Sequence, residues 1–221
     1  SGVCSSYLYA QEKIRLAAST QSIGYTPVYA AEAMGYFKEL GLTVERIKAS
    51  SGPQALSALI SGDFDIVTGN SANIPNIRKN GGDVISFAAL LPQYGGDIVA
   101  TKAWAAKMNI TGKSPYKDKL QIFKGATIGV TGAGGGSDQI TRFLAREGGL
   151  NPDRDMTIVS IPDPAAMQAA FVAGRIDIMA QSAPTSAIAV QSGGVMILNL
   201  GIGEVPAIDR SEEHTSELQS H

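Results

Sequence analysis

The chain is poor in the residues that carry most covalent chemistry. It has one cysteine, Cys4, and two histidines, His214 and His221. A single cysteine excludes a disulfide framework and a CxxC metal site. With both histidines in the C-terminal tail, the body holds no His general base and no His metal ligand. That removes most hydrolase and zinc chemistry. Long apolar runs are also missing, and none approaches the ~18 residues of a membrane span. Neither charge is in excess: Lys and Arg number 18, Asp and Glu 20, for a net charge of −2. Arg210, Glu212, Glu213 and Glu217 account for that imbalance, so the body is formally neutral and offers no nucleic-acid surface. What remains is 44% apolar residues in a chain of 221, with mean hydropathy near zero at +0.04. That is enough for two lobes of ordinary domain size or one large domain.

One unit of sequence occurs twice. Pro53–Gly69, PQALSALISGDFDIVTG, reads as a helix, a glycine stop and a short buried strand. Leu56, Leu59 and Ile60 share a helix face, and Gly62 supplies the left-handed residue that ends it. Phe64, Ile66 and Val67 follow as the strand. The same grammar returns in Pro164–Ser182, PAAMQAAFVAGRIDIMAQS, with Ala58 matching Ala170, Gly62 matching Gly174, Asp65 matching Asp177 and Ile66 matching Ile178. The repeat predicts two similar α/β lobes, with Asp65 and Asp177 each fixing a helix-to-strand junction. Two such lobes leave a cleft, and in open α/β sheets the ligand sits at the carboxyl ends of the strands.

The rest of the chain fits that frame. Strands are expected at Ile14–Ala18, Leu42–Ile47, Asp65–Thr68, Val84–Leu91 and Asp97–Thr101. Helices are expected at Val28–Leu40, where Pro27 suits a first turn, from Pro53, and from Asn73 to about Lys79. Lys102–Phe123 reads as connecting structure with one short helix. The pattern then resumes: strand Ala126–Val130, a glycine-rich loop Thr131–Ser137, helix Asp138–Glu147, strand Met156–Ser160, the repeated helix, strand Asp177–Ala180, helix Ala183–Gln191 and strand Val195–Leu200. Short connections between alternating elements argue for a mostly parallel sheet. Lobe one is expected over residues 11–95 and lobe two over 96–200, with a return crossing at 201–209.

The two ends read differently. Residues 1–10, SGVCSSYLYA, resemble the end of a secretory signal cut after Ala10; Cys4 as a lipidated cysteine is the alternative. Residues 210–221, RSEEHTSELQSH, break the apolar rhythm and resemble the in-frame translation of a sequencing adapter, the alternative being a genuine polar tail. The natural chain is accordingly expected to continue past Asp209, leaving lobe one incomplete here.

Four stretches together resemble one family. They are Pro27 with Ala33-Met34-Gly35-Tyr36-Phe37-Lys38-Glu39-Leu40-Gly41-Leu42-Thr43-Val44, then Ser61-Gly62-Asp63-Phe64-Asp65-Ile66, then Phe123-Lys124-Gly125-Ala126-Thr127-Ile128-Gly129-Val130, and Ala173-Gly174-Arg175-Ile176-Asp177-Ile178. From Ile14 to Gly201 the chain resembles the solute-binding proteins of bacterial ABC transporters for nitrate, sulfonates, taurine, bicarbonate and thiamine-pyrimidine precursors, the SsuA/TauA/NMT1-like family. The resemblance implies a type II periplasmic-binding fold, in which two α/β lobes close like a hinged clamp. It implies a monomer in the periplasm, without cofactor or enzymatic activity. Its partners are a small solute and an ABC permease at the membrane.

The expected cleft residues follow from the strand ends. From lobe one they are Ser19, Thr20, Gln21, Ser51, Gly52, Asn70, Ser71 and Tyr94. From lobe two they are Thr131, Gly132, Gly136, Ser137, Asp163, Gln181 and Ser182. Helix N-termini present free N–H groups and a partial positive charge, which suits an anion. No Lys or Arg falls at an expected strand exit, so a small anion or polar solute held by dipoles is expected rather than one held by salt bridges. Asp163 is the acidic candidate, suited to an amine; the alternative is a turn residue. Ser51 and Ser137 serve equally well as helix caps. Two further alternatives stay open: a nicotinamide-dependent oxidoreductase using Thr131–Ser137 as its phosphate loop, and a solute-sensing domain. The first fits poorly, because Gly132-Ala133-Gly134-Gly135-Gly136-Ser137 has Ser where G-x-G-x-x-G needs its third glycine.

Overall fold

A computed structural model describes residues 12–18, 23–49, 52–69, 73–90 and 95–205. Its strands form two sheets. The first consists of β1 (Glu12–Ala18), β2 (Leu42–Lys48) and β3 (Ile66–Thr68), in the order β2-β1-β3 and parallel throughout. The second holds β4 (Asp97–Ala100), β5 (Thr127–Val130), β6 (Thr157–Ser160), β7 (Ile178–Gln181) and β8 (Val195–Asn199), in the order β6-β5-β7-β4-β8. The order β2-β1-β3 recurs as β6-β5-β7, with matching register. Ala17 pairs with Ile47 and Val67, and Gly129 pairs with Val159 and Met179.

The two aspartates of the repeat explain why the register recurs. The Asp65 N–H donates to the Arg15 carbonyl at 2.9 Å, and the Asp65 carboxylate accepts the Arg15 N–H at 2.7 Å. Asp177 makes the same two bonds to Thr127, at 2.7 and 2.8 Å. Each clip ties the entry of a third strand to the central strand 50 residues earlier, at the middle of β1 and at the first residue of β5. Gly62 and Gly174, at φ +83° and +67°, make the left-handed turn before each clip.

In the first clip the Arg15 side chain adds an ion pair at 2.8 Å. Its hydrogen bonds hold the Asp65 carboxyl down to about 2. A folded-state value below the ordinary one contributes stability above about pH 4 that is lost as pH falls toward 2. The pair is exposed and its contribution modest. Wild type should therefore lose more stability than Asp65→Asn between pH 5 and pH 2 in parallel acid titrations. Identical curves would show that the pair contributes nothing.

The elements around the sheets depart from the sequence reading in several places. The expected helix Val28–Leu40 is broken into α1 (Thr26–Ala33) and α2 (Tyr36–Glu39), because Gly35 takes φ +78° between them. The expected strand Val84–Leu91 is absent: residues 82–89 have no regular structure, Val84 is buried, and Ile85 and Phe87 are exposed. That run has strand composition, but no described strand lies beside it to complete a ladder. The expected connecting segment is more helical than its glycine and proline content indicates. After α3 (Gly52–Ser61) and α4 (Ile74–Lys79), it holds α5 (Lys102–Met108), α6 (Tyr116–Lys119) and a 3-10 turn, Leu120–Phe123. The Thr101 hydroxyl caps α5 by accepting the Trp104 N–H at 3.2 Å. The Trp104 indole donates to the Ile122 carbonyl at 2.8 Å, drawing Leu120, Ile122 and Phe123 into the main core.

The second sheet is completed by α7 (Gly136–Glu147), α8 (Pro164–Val172) and α9 (Thr185–Gln191). It has buried side chains on both faces: Ile98, Ile128 and Ile178 on one, and Val99 and Met179, clustered with Met167 of α8, on the other. It is not parallel throughout, since β4 runs antiparallel to both β7 and β8. That reversal puts the first residue of β4 at the end of the sheet where β5 and β7 finish.

Candidate functional site

In the second sheet, β5 leads through α7 to β6 on one side, and β7 leads through α9 to β8 on the other. Their exits flank a crevice at the carboxyl ends of the strands, the usual ligand position in open α/β sheets. Thr131 and Gly132 leave β5 on one flank; Gln181 and Ser182 end β7 on the other. In the first sheet the equivalent exits follow β1 and β3. The expected residues Ser19, Thr20, Gln21, Ser51, Asn70, Ser71 and Tyr94 lie outside the described residues. Gly52 is the first residue of α3.

The loop from Thr131 to Gly135 is tightly tied. The Ser137 hydroxyl accepts the Thr131 N–H at 2.9 Å and bonds the Thr131 hydroxyl at 2.9 Å. Ser137 is thus not the helix cap; Gly135 holds that position, and α7 starts at Gly136 rather than Asp138. Gly134 turns at φ +72° and donates its N–H to the Asp138 carboxylate at 2.7 Å. The buried Asp138 takes Arg142 Nε on its other oxygen at 2.8 Å, and Arg142 reaches on to Asp153 at 2.7 Å. Asp153 and then Asp138 keep the guanidinium firmly protonated. Arg142 thus partly offsets the charge of Asp138 in the first turn of α7.

The loop meets the first sheet's helices across the cleft. A side chain added at Gly134 or Gly135 would lie 3.9 Å from the Pro53 ring in the first turn of α3. Four residues after Gly135, the Gln139 amide donates to the Asn73 side-chain oxygen at 2.6 Å and to the Gly134 carbonyl at 2.9 Å. Gln139 therefore links the glycine loop to the start of α4. The N-terminal turns of α3 and α7 come together at the place where the sequence expected a cleft.

Two acidic side chains exchange standing relative to the sequence reading. Asp163 is the N-cap of α8, its carboxylate accepting the Ala166 N–H at 2.8 Å. Asp97, which the sequence reading passed over, is the half-buried first residue of β4, level with Gln181. Burial pushes its carboxyl above the ordinary range, against the lowering effect of a hydrogen bond from the Ser186 hydroxyl at 2.5 Å. Gln181 is buried, and its side-chain oxygen accepts the Ser182 N–H at 3.0 Å. Asp138, Gln139 and Asn73 were also passed over. Their only signal is adjacency to the glycine loop and to the exit of β3, because polar residues in a first helical turn look the same whether they face solvent or a neighbour.

A model of the NMT1-like family matches residues 11–200. The chain belongs to that family. Its relatives include the binding protein YtlA of Bacillus subtilis (strain 168), 27% identical over 199 residues that take in 88% of this chain and 56% of YtlA. A protein of Bordetella bronchiseptica RB50 superposes with a TM-score of 0.73 at 25% identity, over 89% of this chain and 59% of its own. The periplasmic nitrate-binding protein NrtA of Synechocystis PCC 6803 superposes with a TM-score of 0.64 at 19% identity, over 87% of this chain and 52% of its own. The NMT1-like chain thus has the two-lobed α/β fold of periplasmic binding proteins, and it spans little more than half the length of these relatives. Among the described residues no helix is long and apolar enough to cross a membrane, and no group of three or more His, Cys, Asp or Glu is placed to hold a metal ion.

Proposed function

We propose that this chain is the solute-binding component of an ABC-type importer, working in the periplasm and handing its solute to a membrane permease. Its two lobes close on a small solute that carries an oxyanion. The observation that carries this reading is the meeting of α3 and α7 across the cleft, with the glycine loop between them and Gln139 reaching Asn73. With a helix N-terminal turn on each side of that contact, N–H donors and positive potential would be available without a fixed cation. The family membership and the nitrate named for NrtA agree with such a solute. A dinucleotide suits the loop less well, because the Gly134 N–H that a pyrophosphate would use is already taken by Asp138.

Thermal shift of the chain against nitrate, bicarbonate, sulfate, taurine, alkanesulfonates and aminopyrimidines, with NAD as the control, tests the reading. A solute at about a hundred times its Kd adds roughly 2.7 kcal/mol, and so roughly 5–11 °C for a chain of this size. The expected result is such a rise with one solute class and none with NAD. A rise with NAD alone would overturn the reading.

A further inference from the structure

The ligand end of the second sheet carries a carboxylate that no described cation meets. Asp97 opens β4, opposite Gln181 on β7 and Asn199 on β8. Because β4 runs against β7, its first residue stands beside the last residue of β7, at the mouth of the crevice. The Asp97 side chain is half-buried, and its hydrogen bond from Ser186 is to a neutral hydroxyl. None of the ion pairs among the described residues includes it, whereas Asp65, Asp138 and Asp153 each have an arginine. Taking a carboxylate out of water without a cation is costly, and the cost is offset when a ligand supplies the missing charge. Burial already raises its pKa, as expected of a carboxylate in that position.

The opposite pole of the crevice has the other sign. The exit of β5 feeds the first turn of α7, where N–H groups and the helix dipole favour an anion. In the order β5-β7-β4, that exit and Asp97 are two strand spacings apart, roughly 10 Å. A hydrogen bond at each pole takes up roughly 6 Å of that span. The remainder matches the short carbon bridge of a small zwitterion better than it matches a compact, uniformly negative ion.

We propose that Asp97 is a specificity-determining residue that accepts the ammonium or other N–H-rich cationic pole of the solute, so that this chain selects zwitterions with an oxyanion at the other end. The proposal rests on the solute-binding reading above. It also reassigns the amine-binding role that the sequence offered to Asp163, whose carboxylate is engaged as the α8 cap.

The test uses taurine and propane-1-sulfonate, which differ in having an ammonium or a methyl at the same position. Titration calorimetry of the full chain should give taurine at least tenfold tighter. Asp97→Asn should weaken taurine tenfold or more and change propane-1-sulfonate less than twofold. Ser186→Ala removes the neutral hydrogen bond and keeps the carboxylate, so it should retain the preference for taurine; this also separates recognition from a structural role of the Asp97–Ser186 contact. Equal affinity for the two probes in wild type, or an unchanged preference in a folded Asp97→Asn, overturns the proposal and leaves the solute-binding reading standing. Binding of nitrate or sulfate with neither sulfonate does the same. A response to NAD alone removes that reading, and this proposal with it.

Discussion

Asp138→Ala is expected to cost about 3 kcal/mol of stability and to weaken solute binding at least tenfold. The buried carboxylate holds the Gly134 N–H on one side and Arg142 on the other. Removing it leaves a loop N–H without its acceptor and an arginine with Asp153 alone. A hydrogen bond to a charged group contributes about 1.5–3 kcal/mol, and Asp138 makes two of them, one to the Gly134 N–H and one to Arg142. The binding loss has a separate cause. Gly134 and Gly135 shape the approach to α7, and without Asp138 the loop is free to turn its N–H groups elsewhere. Asp138→Asn keeps an acceptor for Gly134 and should recover about half of both losses. Electrostatics alone argues for the opposite sign, since deleting a negative charge beside an anion site should tighten anion binding. Urea titration and calorimetry on the three proteins decide the matter. Tighter oxyanion binding by Asp138→Ala would show that Asp138 does not position the loop.

Gly129→Val is expected to destabilise the chain by about 2–3 kcal/mol with no direct effect on the cleft. A Cβ at Gly129 would stand 2.6 Å from Ile176 Cδ1, 3.6 Å from Met167 Cγ and 3.8 Å from Ile161 Cδ1. Ile176 and Met167 are buried, so the displaced side chain has little room to move. In the first sheet Ala17 occupies the same register position, fully buried, and Phe64, at the place of Ile176 in the repeat, is partly buried against its cluster. Gly129→Ala should cost less than the valine, and pairing it with Ile176→Val should restore part of the loss. A fall in denaturation midpoint at constant slope is the expected signature. An unchanged midpoint would mean that Ile176 has space the packing does not show.

Much of the fold was legible in the sequence, for physical reasons that also mark where legibility ends. Short apolar runs bounded by glycine, proline or polar residues gave β1, β2, β3 and β5 to β8, because burial and chain reversal leave their signature within a few residues. The repeat was legible because Gly62 and Gly174 meet the same backbone demand, and Asp65 and Asp177 the same hydrogen-bonding one. Pairing was not legible. Val84–Leu91 has the composition of a strand and lacks a neighbour, and Asp97–Ala100 has the composition of any core strand and runs the other way. From that second point the candidate site inherited its main omission: Asp97, absent from the expected cleft residues, stands level with Gln181 at the carboxyl end of β7. The lobe-two loop was found from its glycines, but the side chains that hold it, Asp138 and Gln139, carry no local mark.

The apolar interior is divided unequally between the sheets. All five strands of the second sheet come from residues 97–199, and both of its faces are packed. Around the first sheet, the buried cluster among the described residues is Ala17, Ala49 and Ala55, with Phe64 and Val67 partly covered. Amide exchange should register that division. Protons on β5, β7 and β4 would leave only through global unfolding, while those on β1, β2 and β3 would escape through local openings of much lower free energy. In the solute-binding reading proposed above, one jaw would stay fixed while the other fluctuates, and the ordering cost of capture would fall on the first sheet.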